Sequence, residues 1–227
     1  MALEESIRLL EGAPPSEVAR LSRRLRHVAL AVDRDGPVAA TMFLRRRASG
    51  DPCLDTHGLE LADTGWRLLG GGGATGQEMI LTARPQLKML GAAAVEIGRG
   101  GVARHAGRLT PGESGWVRWV EVLAAAEVAS LQVNERQVPV HNHGVAVVVW
   151  GTEHPPRIEA SGADGSRLGP VPLRGPPVQA GARDRARQRG EFEEGRAVAG
   201  GASTGAAHGA GITPACHVAQ FRRPAHH

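Results

Sequence analysis

The chain has no tyrosine, three phenylalanines and four tryptophans among its 227 residues, so aromatic side chains make up only 3% of it. An interior so poor in rings must be filled by Val, Leu and Ala, with Trp66, Trp116, Trp119 and Trp150 as the few bulky fillers. Cysteine is nearly absent too. Cys53 and Cys216 stand far apart and neither belongs to a C-x-x-C pair, which argues against a disulfide framework and against a cysteine-built zinc site. Lysine occurs once, at Lys88, and the arginine, glycine and alanine that dominate instead fit a GC-rich bacterial genome. No stretch approaches the roughly 20 apolar residues of a membrane helix. The acidic start, MALEESIRLLEGAPP, lacks the basic and apolar regions of a secretory signal, so the expected residence is cytoplasmic.

A formal net charge of +4 invites a nucleic-acid reading, and its location answers it. Residues 1–173 carry 19 Arg or Lys against 19 Asp or Glu, and residues 174–227 carry eight Arg against four acids. A neutral body with a mildly basic tail lacks the concentrated positive face of a phosphate-backbone binder, so nucleic acid is expected only weakly, through the tail.

Leu3, Ile7 and Leu10 recur at helical spacing before Gly12, Pro14 and Pro15, which predicts a first short helix. In SEVARLSRRLRHV, Val18, Leu21, Leu25 and Val28 form one stripe behind Ser16 as N-cap, which predicts a second. A helix-turn-helix would need a third helix, yet the periodicity changes to two, so the pair is expected to cover a sheet. VALAV and VAATMFL read as a hairpin bent at Asp35-Gly36, and Arg45, Arg46 and Arg47 as a solvated edge. Residues 48–58 read as a loop, LELA and WRLLG as short strands around Asp63-Thr64-Gly65, and the glycines that follow as a second loop. After an ambiguous stretch at 77–90 holding Pro85, seven short apolar or alternating segments follow between residues 92 and 173. Gly, Asn, Asp and Pro turns separate them at the spacing of a sandwich or barrel. Connections this short require antiparallel pairing.

Two motifs carry possible chemistry. In VPVHNHGVAVVVW, His141 and His143 share a face if the segment is extended and would suit zinc. Asn142 and Gly144 tolerate positive φ, however, so the segment also reads as a solvated hairpin turn, and Glu153 with His154 would then lie at the far end of the next strand. In WRLLGGGGATG, Gly71, Gly73 and Gly76 satisfy G-x-G-x-x-G behind a strand-like run, and Glu96 follows 20 residues later. Those are parts of a dinucleotide site, in which glycines admit a pyrophosphate and an acid binds ribose hydroxyls. Against it, 31 glycines make chance matches frequent, Pro85 breaks the helix that should follow, and the chain beyond lacks α/β alternation. PGESGW departs from a nucleophile elbow at Trp116, where a glycine should stand. Cys53, Asp55 and His57 form a loop cluster of a kind used in thiol chemistry.

The expected fold is mainly β (α+β): an antiparallel β-sandwich with two short N-terminal helices. Residues 1–27 form the helical segment, 28–91 a β-rich part with a glycine-rich loop, 92–173 the sandwich part, and 174–227 a disordered Gly/Ala/Arg-rich tail. The segment PPRIEASGADGSRLGPVPL, turning at Asp164-Gly165, resembles the closing hairpin of an immunoglobulin-like module. The function expected is a non-enzymatic interaction module with a protein partner and no cofactor. The alternative is an oxidoreductase binding a dinucleotide at residues 70–76.

Overall fold

A computed structural model describes residues 2–22, 24–75, 83–104 and 112–173 of the chain. Gly76 and the tail expected to be disordered, residues 174–227, lie outside the described residues. Among the described residues the protein is mainly β, with antiparallel sheets and two helices, α1 (Ala2–Leu10) and α2 (Leu87–Leu90). No described helix is long and apolar enough to cross a membrane.

Four consecutive strands, β1 (His27–Asp35), β2 (Val38–Arg46), β3 (Pro52–Ala62) and β4 (Gly65–Thr75), form the first sheet in chain order. The second sheet has the order β5-β6-β9, from β5 (Ala94–Ala103), β6 (Glu113–Ala124) and β9 (Val145–Thr152). The third has the order β11-β10-β7-β8, from β7 (Val128–Val133), β8 (Arg136–Pro139), β10 (Ile158–Gly162) and β11 (Arg167–Pro170). Every recorded pairing is antiparallel, as the short connections require.

The β5-β6-β9 sheet contributes to both hydrophobic cores. Val117, Trp119 and Leu123 of β6 join Val145, Val147 and Val149 of β9 in a core with Leu30, Met42, Leu44 and Leu54 of the first sheet. The alternate residues, Val120 and Val122 of β6 with Ala146, Val148 and Trp150 of β9, pack with Leu131, Val133, Ile158 and Ala160 of the third sheet. Successive side chains of a strand point to opposite faces, so a strand buried on both sides reads as an unbroken apolar run. That is the origin of VAVVVW, which is buried from Val145 to Trp150. The boundary expected at residues 91/92 therefore separates β1–β4 from the later strands but cuts through a shared core.

One basic side chain joins the three sheets. Arg136 of β8 donates to Asp33 Oδ2 at 2.9 Å and Asp35 Oδ1 at 3.2 Å on β1, and to the Val149 carbonyl of β9 at 2.5 Å. Asp33 Oδ2 in turn accepts the Val149 N–H at 2.8 Å. At Val149 the edge of β9 thus finds its partners in side chains, which opposes strand pairing at that point.

Two sequence expectations give way here. The second N-terminal helix does not form. The described residues from Ser16 to Arg26 contain no helix, and Val18 and Leu25 of its supposed apolar stripe are 60% and 51% exposed. Hydroxyl groups capture the backbone locally: Val18 N–H donates to Ser16 Oγ at 3.3 Å and Leu25 N–H to Ser22 Oγ at 2.9 Å. β1 also starts at His27 and takes Val28, the last residue of the stripe, into a core. The loops expected at 48–58 and in the glycine run are instead largely strand, since β3 begins at Pro52 and β4 continues to Thr75.

Candidate functional site

Cys53, Asp55 and His57 occupy alternate positions of β3 and so share the face of the first sheet that points away from its core. Their partners across β4 are Thr75, Gly73 and Gly71. A Cβ on Gly71 would stand 2.8 Å from His57 Cδ2 and 2.6 Å from the Thr56 carbonyl, and one on Gly73 would stand 2.6 Å from Asp55 Oδ1. These glycines are absences that the side chains of β3 lean into. Over them lies an open depression of about 350 Å³ lined by Asp55, His57, Leu68 and Gly70 to Gly73.

Polar groups around the depression are held by their neighbours. Arg45 Nε donates to Asp55 Oδ2, and Cys53 Sγ lies 3.7 Å from Asp55 Oδ1. The rings of His27, Phe43 and His57 form a row across three strands, with centroids 4.5 Å and then 5.3 Å apart. Burial holds the pKa of both histidines below the ordinary imidazole value. Nδ1 of His57 is buried without a hydrogen-bond partner. A thiol–imidazole pair is not assembled, because Cys53 is fully buried and four residues along a strand separate it from His57 by about 13 Å. What the face offers is a neutral ring edge, a charge-compensated carboxylate and an exposed stretch of glycine backbone.

Of the dinucleotide motif, Gly71 and Gly73 are described, whereas Gly76 and the residues that follow it to 82 lie outside the described ones. Gly71 and Gly73 lie within β4, paired to β3, rather than in a loop that opens a helix. The next described helix, α2, has four residues and none of them is buried. Glu96 lies on β5 and pairs with Arg99 at 2.6 Å. A pyrophosphate site uses glycines in a loop that opens a helix, and Gly71 and Gly73 are strand residues.

His141 opens, and His143 lies within, a tight turn between β8 and β9, closed by Gly144 N–H donating to the His141 carbonyl at 2.8 Å, with Gly144 at φ +77°. His141 Nδ1 lies 3.1 Å from Glu17 Oε1, and the Asn142 N–H donates to the same carboxylate at 3.4 Å. His143 is buried, not solvated as the turn reading has it. Its Nδ1 accepts the Val145 N–H at 3.0 Å, and burial drives its pKa down to about 4. The ring lies against the backbone of Leu30 and Ser16, and its buried Nε2 makes no well-formed hydrogen bond. The two histidine rings are 5.9 Å apart, and no group of three or more metal-ligating side chains occurs among the described residues. With Nδ1 of His143 already engaged, the pair fits the role of turn anchors better than that of ligands.

Sequence reasoning missed several buried charges. Glu60 pairs with Arg67 at 3.0 Å and with Arg104 at 2.8 Å. Glu121 accepts from Thr56 Oγ1 at 2.7 Å, and burial raises its pKa. Singly dispersed acids give no signal of this kind. A signal did exist for Trp119: a Cβ on Gly58 would come within 3.0 Å of its ring, and one on Gly100 would collide with it. Glycines facing a tryptophan from the opposite sheet, as Gly58 does, and from the paired strand, as Gly100 does, mark the space it fills.

No family model matches the chain, and neither a curated protein nor a solved structure shows significant similarity to it.

Proposed function

We propose that the chain is a non-catalytic binding module for a protein partner, and that the outer face of the first sheet, floored by Gly70 to Gly73, is its contact surface. The observation that carries this reading is the open depression over a strand whose side chains are missing, beside Leu68 and the edge of His57. Exposed concave surface of this kind is where a partner gains buried area without displacing a packed side chain. Three carboxylates are engaged by arginines: Asp55 by Arg45, Glu60 by Arg67 and Arg104, and Asp33 by Arg136. Three antiparallel sheets around two cores support the view of the body as a sandwich scaffold, and the β10–β11 hairpin supports the immunoglobulin-like likeness of its second half. Such scaffolds commonly present binding surfaces.

The test compares proteins retained from extracts of the source cells by the immobilised chain and by its Leu68→Glu variant, with melting temperatures matched. Loss of a retained protein on substitution supports the reading. Identical retention by both, or by neither, contradicts it.

A further inference from the structure

The same outer face already carries an occupant. α1 packs against β1 and β4, and its Ser6 Oγ forms a buried 2.7 Å hydrogen bond with Thr41 Oγ1 of β2. Leu9, one turn later, is 4% exposed, while Leu3, Ile7 and Leu10 are half-buried. Thr41 and Phe43 point to this face and are fully buried. The polar residues Glu4 and Arg8 are exposed, and Glu5 lies close enough to His27 to favour its charged form.

Seating of this helix is conditional. Nine residues fall short of the roughly 12 to 15 that an isolated helix needs to hold its shape in water, so α1 owes its helicity to docking. Its connection to β1 runs from Glu11 to Arg26, and the described residues of that stretch contain neither helix nor strand. From Ser16 on this stretch is itself fixed, with Ser16 N–H donating to the Ala29 carbonyl at 2.8 Å and Ala19 and Leu21 packed against the core, so a short tether holds the helix at an effective concentration in about the millimolar range and weak intrinsic affinity suffices to keep it seated. The Thr41 hydroxyl adds selectivity. A replacement without its own hydroxyl would leave that group buried and unpaired.

We propose that the face beneath α1 is a helix-docking site which α1 occupies in cis, and that a partner's amphipathic helix displaces it by presenting a Ser to Thr41 and a Leu three residues later. This deepens the binding-module reading and rests on it: the partner's helix takes the covered half of the face, and the glycine-floored depression lies beside it.

The experiment uses the full chain with a specific protease site inserted after Gly12, and a fluorescein-labelled peptide of residues 1–13. After cleavage α1 is a non-covalent ligand, and the labelled peptide should exchange into its place with a rise in anisotropy. The uncleaved chain should bind the peptide about 100-fold more weakly, because its own helix competes from the tether. The same peptide carrying Leu9→Arg should bind neither. In a second arm, Leu9→Arg in the uncleaved chain should free the face and bring peptide binding to the level of the cleaved chain.

Equal binding by cleaved and uncleaved chains, failure of the cleaved chain to take up peptide, or unfolding on cleavage or on Leu9→Arg each overturns the proposal. Unfolding would make α1 an integral part of the fold. If these arms fail while Leu68→Glu still abolishes partner retention, the helix site falls and the module reading stands.

Discussion

Val145 N–H donates to Nδ1 of His143, so the neutral ring carries its proton on Nε2, and protonation means surrendering that hydrogen bond inside a buried turn. The folded pKa of about 4 lies below the ordinary value of 6.5. The folded state therefore favours the neutral ring, and the stabilisation is fully present above about pH 6.5 and lost as pH falls toward 4. At about 1.4 kcal/mol per pKa unit, the upper bound is about 3 kcal/mol. Urea unfolding at pH 7 and pH 4 should show the native chain losing more stability than His143→Gln does. Equal losses would remove this role. Arg136 is the second such residue. Replacing it with Met leaves Asp33 buried without its cation and should destabilise the protein by about 3–5 kcal/mol in chemical denaturation, with part recovered by adding Asp33→Asn. A loss below about 1 kcal/mol would mean that the tie between sheets contributes little. Neither role is legible in the sequence, because Arg136 meets Asp33, and His143 meets Leu30 and Ser16, across more than a hundred residues of chain.

At the scale of elements, hairpins were legible where alternation and turn residues agreed. Asp35-Gly36 joins β1 to β2, and the segments RIEAS and RLGPVPL hold most of β10 and all of β11. Glycine misled the reading of β4, since a residue without a side chain signals loops by propensity and close approach by packing, and only the neighbouring strand distinguishes the two. The second helix failed for a related reason: a stripe at helical spacing is a weak prior when the hydroxyls of Ser16 and Ser22 offer the backbone local partners. The packing role of glycine gives a paired prediction. Gly100→Ala forces a Cβ into the Trp119 ring and should destabilise by about 1–3 kcal/mol. Gly72→Ala meets nothing within 4 Å and should stay within about 0.5 kcal/mol of the native chain. Calorimetric melting of the two variants side by side checks the contrast, and equal effects would contradict it.

At the scale of the whole molecule, the apolar run near residue 145 was visible at once, but its meaning was not. A run of six buried residues fits a strand covered on both faces or a segment of buried helix, and only pairing with β6 decides between them. Once β5-β6-β9 is placed among both cores, the architecture follows: β1–β4 cover one of its faces and the third sheet covers the other. The candidate surface then lies on the far side of β1–β4, where α1 and the glycine floor share it. Consecutive valines of β9 provide the direct test of this arrangement, since Val147 packs in one core and Val148 in the other. Equilibrium urea denaturation of Val147→Thr and Val148→Thr should show each variant destabilised by about 1–3 kcal/mol, the effect of burying an unpaired hydroxyl. If either substitution leaves stability within about 0.5 kcal/mol of the native chain, one face of that strand is open to water and the account fails.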